Sequence, residues 1–154
     1  MTTLSLSLDA VTVLGLAGTA LRFALSIDDE VERWLRPLRL YGESGAALQG
    51  MGVSEARGEG SVEVPTRQSS SSPEETLQII TMAASKLAAD RDAPSVGTLD
   101  ILTAVMAHYG EAFERALEGH AGDLTELAHR MADRTAKGRR GRALDLLHLS
   151  RTRA

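Results

Sequence analysis

Apolar positions recur with helical spacing along most of the chain. Leu77, Ile80, Ala84 and Leu87 share one helix face, as do Leu124, Leu127, Ala128 and Met131. Ile101, Leu102, Val105 and Met106 mark another stretch of this kind, and Ala112, Phe113, Ala116 and Leu117 one more. From about Leu8 to Leu25 the chain is apolar on nearly every side, which predicts a central buried helix. Strand-type alternation occurs only at Leu4-Ser5-Leu6-Ser7-Leu8 and at Val62-Glu63-Val64, both short and without an obvious partner. The pattern predicts an all-α fold.

Helix-start chemistry agrees with that spacing. Ser72-Pro73-Glu74-Glu75 has the form of a capping box with proline at the first helical position, so Ser72 and Glu75 can satisfy each other's orphan amides. Asp123 followed by Glu126 is a similar signal. Ser7, Asp28 and Thr98 are placed to cap three further helices, with Asp100 suited to the positive end of the last. Pro37 falls inside one predicted helix and is expected to kink or shorten it.

Composition changes between the two halves. Gly58-Glu59-Gly60, Pro65 and the run Ser69 to Ser72 predict a flexible linker over 57–71, dividing a first unit at 6–56 from a second at 72–136. From 137 to 154 the chain is a basic tail with Lys137, Arg139, Arg140, Arg142, Arg151 and Arg153. Leu144, Leu146, Leu147 and Leu149 predict a short terminal helix within it. The two halves also echo each other at offsets of 66 to 69 residues. Val13, Leu14, Leu16, Ala17 and Leu21 align with Ile79, Ile80, Met82, Ala83 and Leu87. Tyr41-Gly42-Glu43 recurs as Tyr109-Gly110-Glu111, and Leu48-Gln49-Gly50 as Leu117-Glu118-Gly119. That period is longer than solenoid repeats, which predicts two copies packed as one pseudo-symmetric helical domain.

Each half then resembles the Clp repeat, the four-helix unit found in tandem in the N-terminal domain of Clp AAA+ unfoldases, ClpC above all. Ser72-Pro73 stands where the family has Thr-Pro, and Val96-Gly97-Thr98-Leu99-Asp100-Ile101-Leu102 resembles its Ile-Gly-Thr-Glu-His-Ile-Leu. In the first half Leu6-Ser7 replaces Phe-Thr, and Glu32-Arg33-Trp34-Leu35 falls where Glu-His-Ile-Leu is usual. Met51-Gly52-Val53 and Ser54 resemble Leu-Gly-Ile-Ser. The resemblance covers roughly Leu6 to Arg134, with departures. Leu99 stands in place of the second acidic residue, and the aromatic side chains near the helix starts are missing.

What the resemblance implies is a cytoplasmic, non-catalytic binding protein of the Clp system. Its partners would be the unfoldase, its adaptors or its substrates, and its ligand a degron, a phosphoarginine peptide or a cyclic peptide. The candidate ligand-binding residues are Glu32, Arg33, Gly97, Thr98 and Asp100. A carboxylate would meet the guanidinium, while helix-start amides and a hydroxyl would receive the phosphate. Such a protein would act as a decoy for unfoldase ligands or as an adaptor delivering cargo.

Composition narrows the other options. The 154 residues are 43% hydrophobic and 25% charged, enough for one domain with its own core. With no cysteine, disulfides, thiol catalysis and cysteine-ligated metals are excluded. No apolar run approaches a membrane span, and no basic segment precedes the first apolar stretch, so neither membrane nor secretory signal is expected. Lys86 and Lys137, the only lysines, both lack the phosphate-loop context, so the unfoldase motor is not encoded here. Gly42-Glu43-Ser44-Gly45-Ala46 misses the serine-hydrolase elbow at its last residue and has no strand before it. The four histidines form no metal-ligand spacing, so no metal or cofactor is expected. A net charge of −4 speaks against a dedicated nucleic-acid binder. The alternative reading is a helical regulator that contacts nucleic acid through its basic tail.

Overall fold

A computed structural model describes residues 4–53 and 71–151, with side chains through 138 and at 140. The predicted linker, apart from Ser71, and Val62-Glu63-Val64 lie outside the described residues. Among those described, the chain forms seven helices and no strand. In order they are α1 (Leu8–Leu21), α2 (Ile27–Leu40), α3 (Gly42–Gly50), α4 (Pro73–Asp90), α5 (Thr98–Tyr109), α6 (Glu111–Gly119) and α7 (Leu124–Arg151). The all-α expectation therefore holds. Among the described residues no helix is long and apolar enough to cross a membrane.

The helix starts follow the side-chain chemistry, with two corrections. Ser7 accepts the Ala10 N–H at 3.2 Å, and the Ser72–Glu75 capping box is complete. Asp123 accepts from the Glu126 amide at 3.3 Å. The second helix, however, is capped by Ser26 rather than Asp28: its hydroxyl accepts the Asp29 N–H at 3.1 Å, and Asp28 lies within the first turn. Likewise Gly97, not Thr98, is the N-cap of α5, and Asp100 reaches back to accept the Gly97 N–H at 2.9 Å. In both cases the residue nearer the preceding turn takes the extended backbone a cap requires.

Three other expectations change. Pro37 does not end α2, which runs one further turn to Leu40. Proline only removes the N–H that would bond the Arg33 carbonyl, and Pro37 is buried against the body, where packing keeps the last turn helical. Helix α1 is not buried all round: Ala10, Val13, Leu14, Ala17 and Leu21 face the core, whereas Leu8 is 82% and Val11 50% exposed. It is an outer helix whose solvent side happens to be apolar. Finally, the region beyond 136 has no separate short helix. The backbone of α7 stays helical from Leu124 to Arg151, since no proline interrupts it and Ala, Lys, Arg and Leu bridge the two glycines.

Helices α2 and α5 lie at the centre. α2 touches α1, α3, α5 and α6, and α5 touches α1, α2, α3, α4 and α6. Their buried faces feed one core that crosses both halves and includes Trp34, Leu38, Leu48, Ile80, Ile101 and Phe113. Polar groups also tie the halves together. The Trp34 indole donates to the Tyr109 hydroxyl at 3.1 Å, and the Ser44 amide donates to Thr98 Oγ1 at 3.1 Å. Ahead of α1, Leu6 forms a parallel bridge with Val96, through Ser7 N–H to the Val96 carbonyl and Val96 N–H to the Ser5 carbonyl, both 2.9 Å. The Leu4–Leu8 alternation thus has a partner after all.

Corresponding turns of the two halves share geometry. Gly42 and Gly110, each following a tyrosine, have φ of +63° and +53° where α2 meets α3 and α5 meets α6. Both short helices end alike: Gly52 and Ala121 carry positive φ, and Val53 and Gly122 donate back to the Leu48 and Leu117 carbonyls.

Candidate functional site

The sequence-derived candidates fall into two clefts. Glu32 and Arg33 line the first, of about 330 Å3, between the outer part of α1 and the C-terminal half of α2. Its walls include Leu16, Leu40 and Val53 on the apolar side and Arg36 and His120 on the polar side. Gly97 and Thr98 line the second, of about 260 Å3, where the start of α5 meets α7. Glu43, Arg91, Arg134 and Lys137 stand around it. Asp100 belongs to neither: it is buried, at the edge of a third opening of about 310 Å3 that Leu99, Thr103 and Met131 also line.

Glu32 is not on the first turn of its helix. With Ser26 as N-cap, the residue that corresponds in position to Leu99 is Asp28, and Glu32 lies a turn further on. The same register pairs Asp29 with Asp100, and each of these carboxylates holds a backbone amide and an arginine. Asp29 accepts from the Leu25 N–H at 3.0 Å and pairs with Arg33 at 3.3 Å. Asp100 accepts from Gly97 and receives a two-pronged bond from Arg91, with Nε 3.0 Å from Oδ1 and the second prong between a terminal guanidinium nitrogen and Oδ2. Both acids brace helix starts.

Glu32 has a different partner, one the sequence did not disclose. His120, in the turn between α6 and α7, is buried and directs Nε2 between the two Glu32 oxygens, at 2.8 and 3.1 Å. Because a carboxylate only accepts, Nε2 carries the proton. Nδ1 is buried and has no hydrogen-bond partner among the described residues. Arg33 is held from its other side as well, donating to the Phe23 carbonyl at 3.2 Å.

Elsewhere the candidate chemistry is consumed by structure. Ser44 is fully buried, and its hydroxyl donates toward the Leu38 carbonyl at 2.7 Å, with the Tyr41 carbonyl at 3.0 Å. The Thr98 hydroxyl is buried as the acceptor for the Ser44 amide. Arg134 pairs with Glu43 across the second cleft. His129 is exposed on α7, 3.7 Å from Asp133. No group of His, Asp and Glu with metal-binding geometry occurs among the described residues. Burial, then the Glu30 carboxylate, push the Tyr109 phenol well above its ordinary value, against a smaller downward pull from the Trp34 hydrogen bond.

Compared with known proteins, the sequence matches no protein-family model and no curated protein.

Proposed function

We propose that this chain is a two-repeat helical domain of the Clp N-terminal type, serving as a non-catalytic binding protein for a peptide, degron or cyclic-peptide ligand of the Clp unfoldase system. The repeat reading draws support from reciprocal packing. The short helix of each half leans on the second helix of the other half, α6 on α2 and α3 on α5. The paired tyrosine–glycine turns and the matched ends of α3 and α6 support it further. The proposed setting is the cytoplasm, and the role is that of a decoy or an adaptor.

The observation that carries the binding reading is the first cleft. A carboxylate, Glu32, and the guanidinium groups of Arg33 and Arg36 line one opening together with exposed apolar side chains. A phosphorylated arginine needs both an acceptor for its guanidinium and donors for its phosphate. Glu32 would serve as the first after release from His120, and Arg36 as the second. Titration calorimetry with a phosphoarginine peptide and its unphosphorylated control tests this. Saturable heat that requires the phosphate and disappears in Glu32→Ala is expected. Equal heat from both peptides, or none at millimolar peptide, would retire the phosphoarginine reading. A co-purified complex with the unfoldase would then separate adaptor from decoy.

A further inference from the structure

Among the described residues, six arginines are matched to acids. Arg22 pairs with Glu74, Arg33 with Asp29, Arg91 with Asp100, Arg115 with Asp28, Arg130 with Glu126 and Arg134 with Glu43. Arg36 breaks the pattern. It lies one turn beyond Arg33 on α2, is exposed, lines the first cleft and has no carboxylate partner among the described residues. The two acids that share this cleft are engaged already, Asp29 by Arg33 and Glu32 by His120. The opening therefore presents a guanidinium with no ion pair among the described residues.

Beside that cation the wall is apolar and open to solvent. Leu16 is 47% exposed and Leu40 53%, both large side chains that contribute no core contact on their outer side. The adjoining loop adds Phe23, 66% exposed, yet its backbone is fixed through the bonds that Arg33 and Asp29 make to the Phe23 carbonyl and the Leu25 amide. The surface is thus prearranged, so a ligand would meet little ordering cost on the protein's side. An exposed apolar patch with a charged rim is the usual mark of a recognition surface.

We propose that this cleft takes a peptide segment carrying a carboxylate next to a large apolar side chain, the carboxylate meeting Arg36 and the apolar group seating against Leu16 and Leu40. Arg36 decides the sign of the partner: Arg33 is matched by Asp29, whereas Arg36 has no ion pair among the described residues, so a carboxylate on the ligand would supply the one it lacks. The volume, about 330 Å3, lies at the small end of ligand pockets and suits one anchoring side chain rather than a folded surface. The inference rests on the reading of the chain as a binding protein and not on phosphoarginine as its ligand.

The test uses the full chain and the fluorescently labelled peptide acetyl-Leu-Glu-Leu-Leu-Glu-amide, followed by anisotropy. Two further probes carry glutamine or lysine in place of glutamate. Saturable binding of the acidic peptide is expected, weaker by about tenfold for the glutamine peptide because a charge-assisted bond becomes a neutral one. Arg36→Glu should weaken the acidic peptide by at least about tenfold and admit the lysine peptide instead. Leu40→Ser, at a second exposed position, should weaken the acidic and glutamine peptides alike. Indifference of binding to the glutamate-to-glutamine change would overturn the proposal, as would unchanged affinity in Arg36→Glu or no saturable binding at all. Self-association that the acidic peptide cannot compete away would instead assign the face to a second copy of the chain. The two readings also fail separately. A silent phosphoarginine peptide beside a binding acidic peptide retires only the degron, and the reverse result retires only this proposal.

Discussion

The two clefts hold the same kinds of residue and use them differently. In the cleft of the second half, Arg91 closes on Asp100 and Arg134 on Glu43, which braces α5, α3 and α7 and leaves Lys137 without an ion pair among the described residues. In the cleft of the first half, Asp29 and Glu32 are likewise occupied, but Arg36 remains as a cation over open apolar surface. A sequence rich in arginine and acid therefore says little about binding until each charge has been assigned its neighbour. An unpaired charge beside open apolar surface, rather than a cluster of charges, marks the surface with something left to recognise.

The contrast can be broken most forcefully at Asp100. Asp100→Ala strands Arg91 and leaves the Gly97 amide without its acceptor, and should cost about 3 kcal/mol in urea unfolding. Arg36→Ala, by comparison, should stay within about 0.5 kcal/mol. Equal costs for the two variants would show that the clefts are not distinguished in this way. A finer comparison uses the matched turns. Gly42→Ala should be worse than Gly110→Ala by about 1 kcal/mol in parallel melts, although both carry positive φ. A Cβ at Gly42 would lie 2.6 Å from Thr98 Oγ1, whereas one at Gly110 meets open space.

The smallest expected effect concerns pH. The folded state raises the Tyr109 pKa, so below the ordinary tyrosine value of about 10 the phenol is neutral in both states and contributes no pH dependence. Above it the unfolded chain ionises first, which draws the equilibrium toward unfolding, by about 0.8 kcal/mol at pH 10.5. Tyr109→Phe should flatten that alkaline loss in denaturation curves measured from pH 8 to pH 10.5. A curve as steep as the parent's would show that another group controls the alkaline limb.

Local chemistry was legible where it acts over a few residues. Ser7, Ser72 with Glu75, and Asp123 each declared a helix start that the structure contains. Ser26-Ile27-Asp28-Asp29 was ambiguous, since serine and both aspartates can all cap, and only tertiary placement of the turn decides among them. Solvent exposure of Leu8 and Val11 was hidden for a related reason: hydrophobicity marks what can be buried, while the number of neighbours sets what is. Glu32 stands in the sequence where the resembled motif has its acid, but its position on the helix follows from Ser26 and its partner is His120, distant in sequence. Such a pairing has no local signal. Arg36 likewise has no local signal, because its distinction is that it forms no ion pair among the described residues.

The Leu6–Val96 bridge sets a condition on the order in which the molecule can be completed. The amides of Ser7 and Val96 bond across that bridge, outside any helix, and ought nonetheless to resist hydrogen exchange as long as both halves remain docked. On a ribosome making the chain from its N-terminus, the segment before α1 would wait unpaired until α4 and the turn behind it had emerged. That stitch of the fold thus joins the segment ahead of α1 to the start of α5.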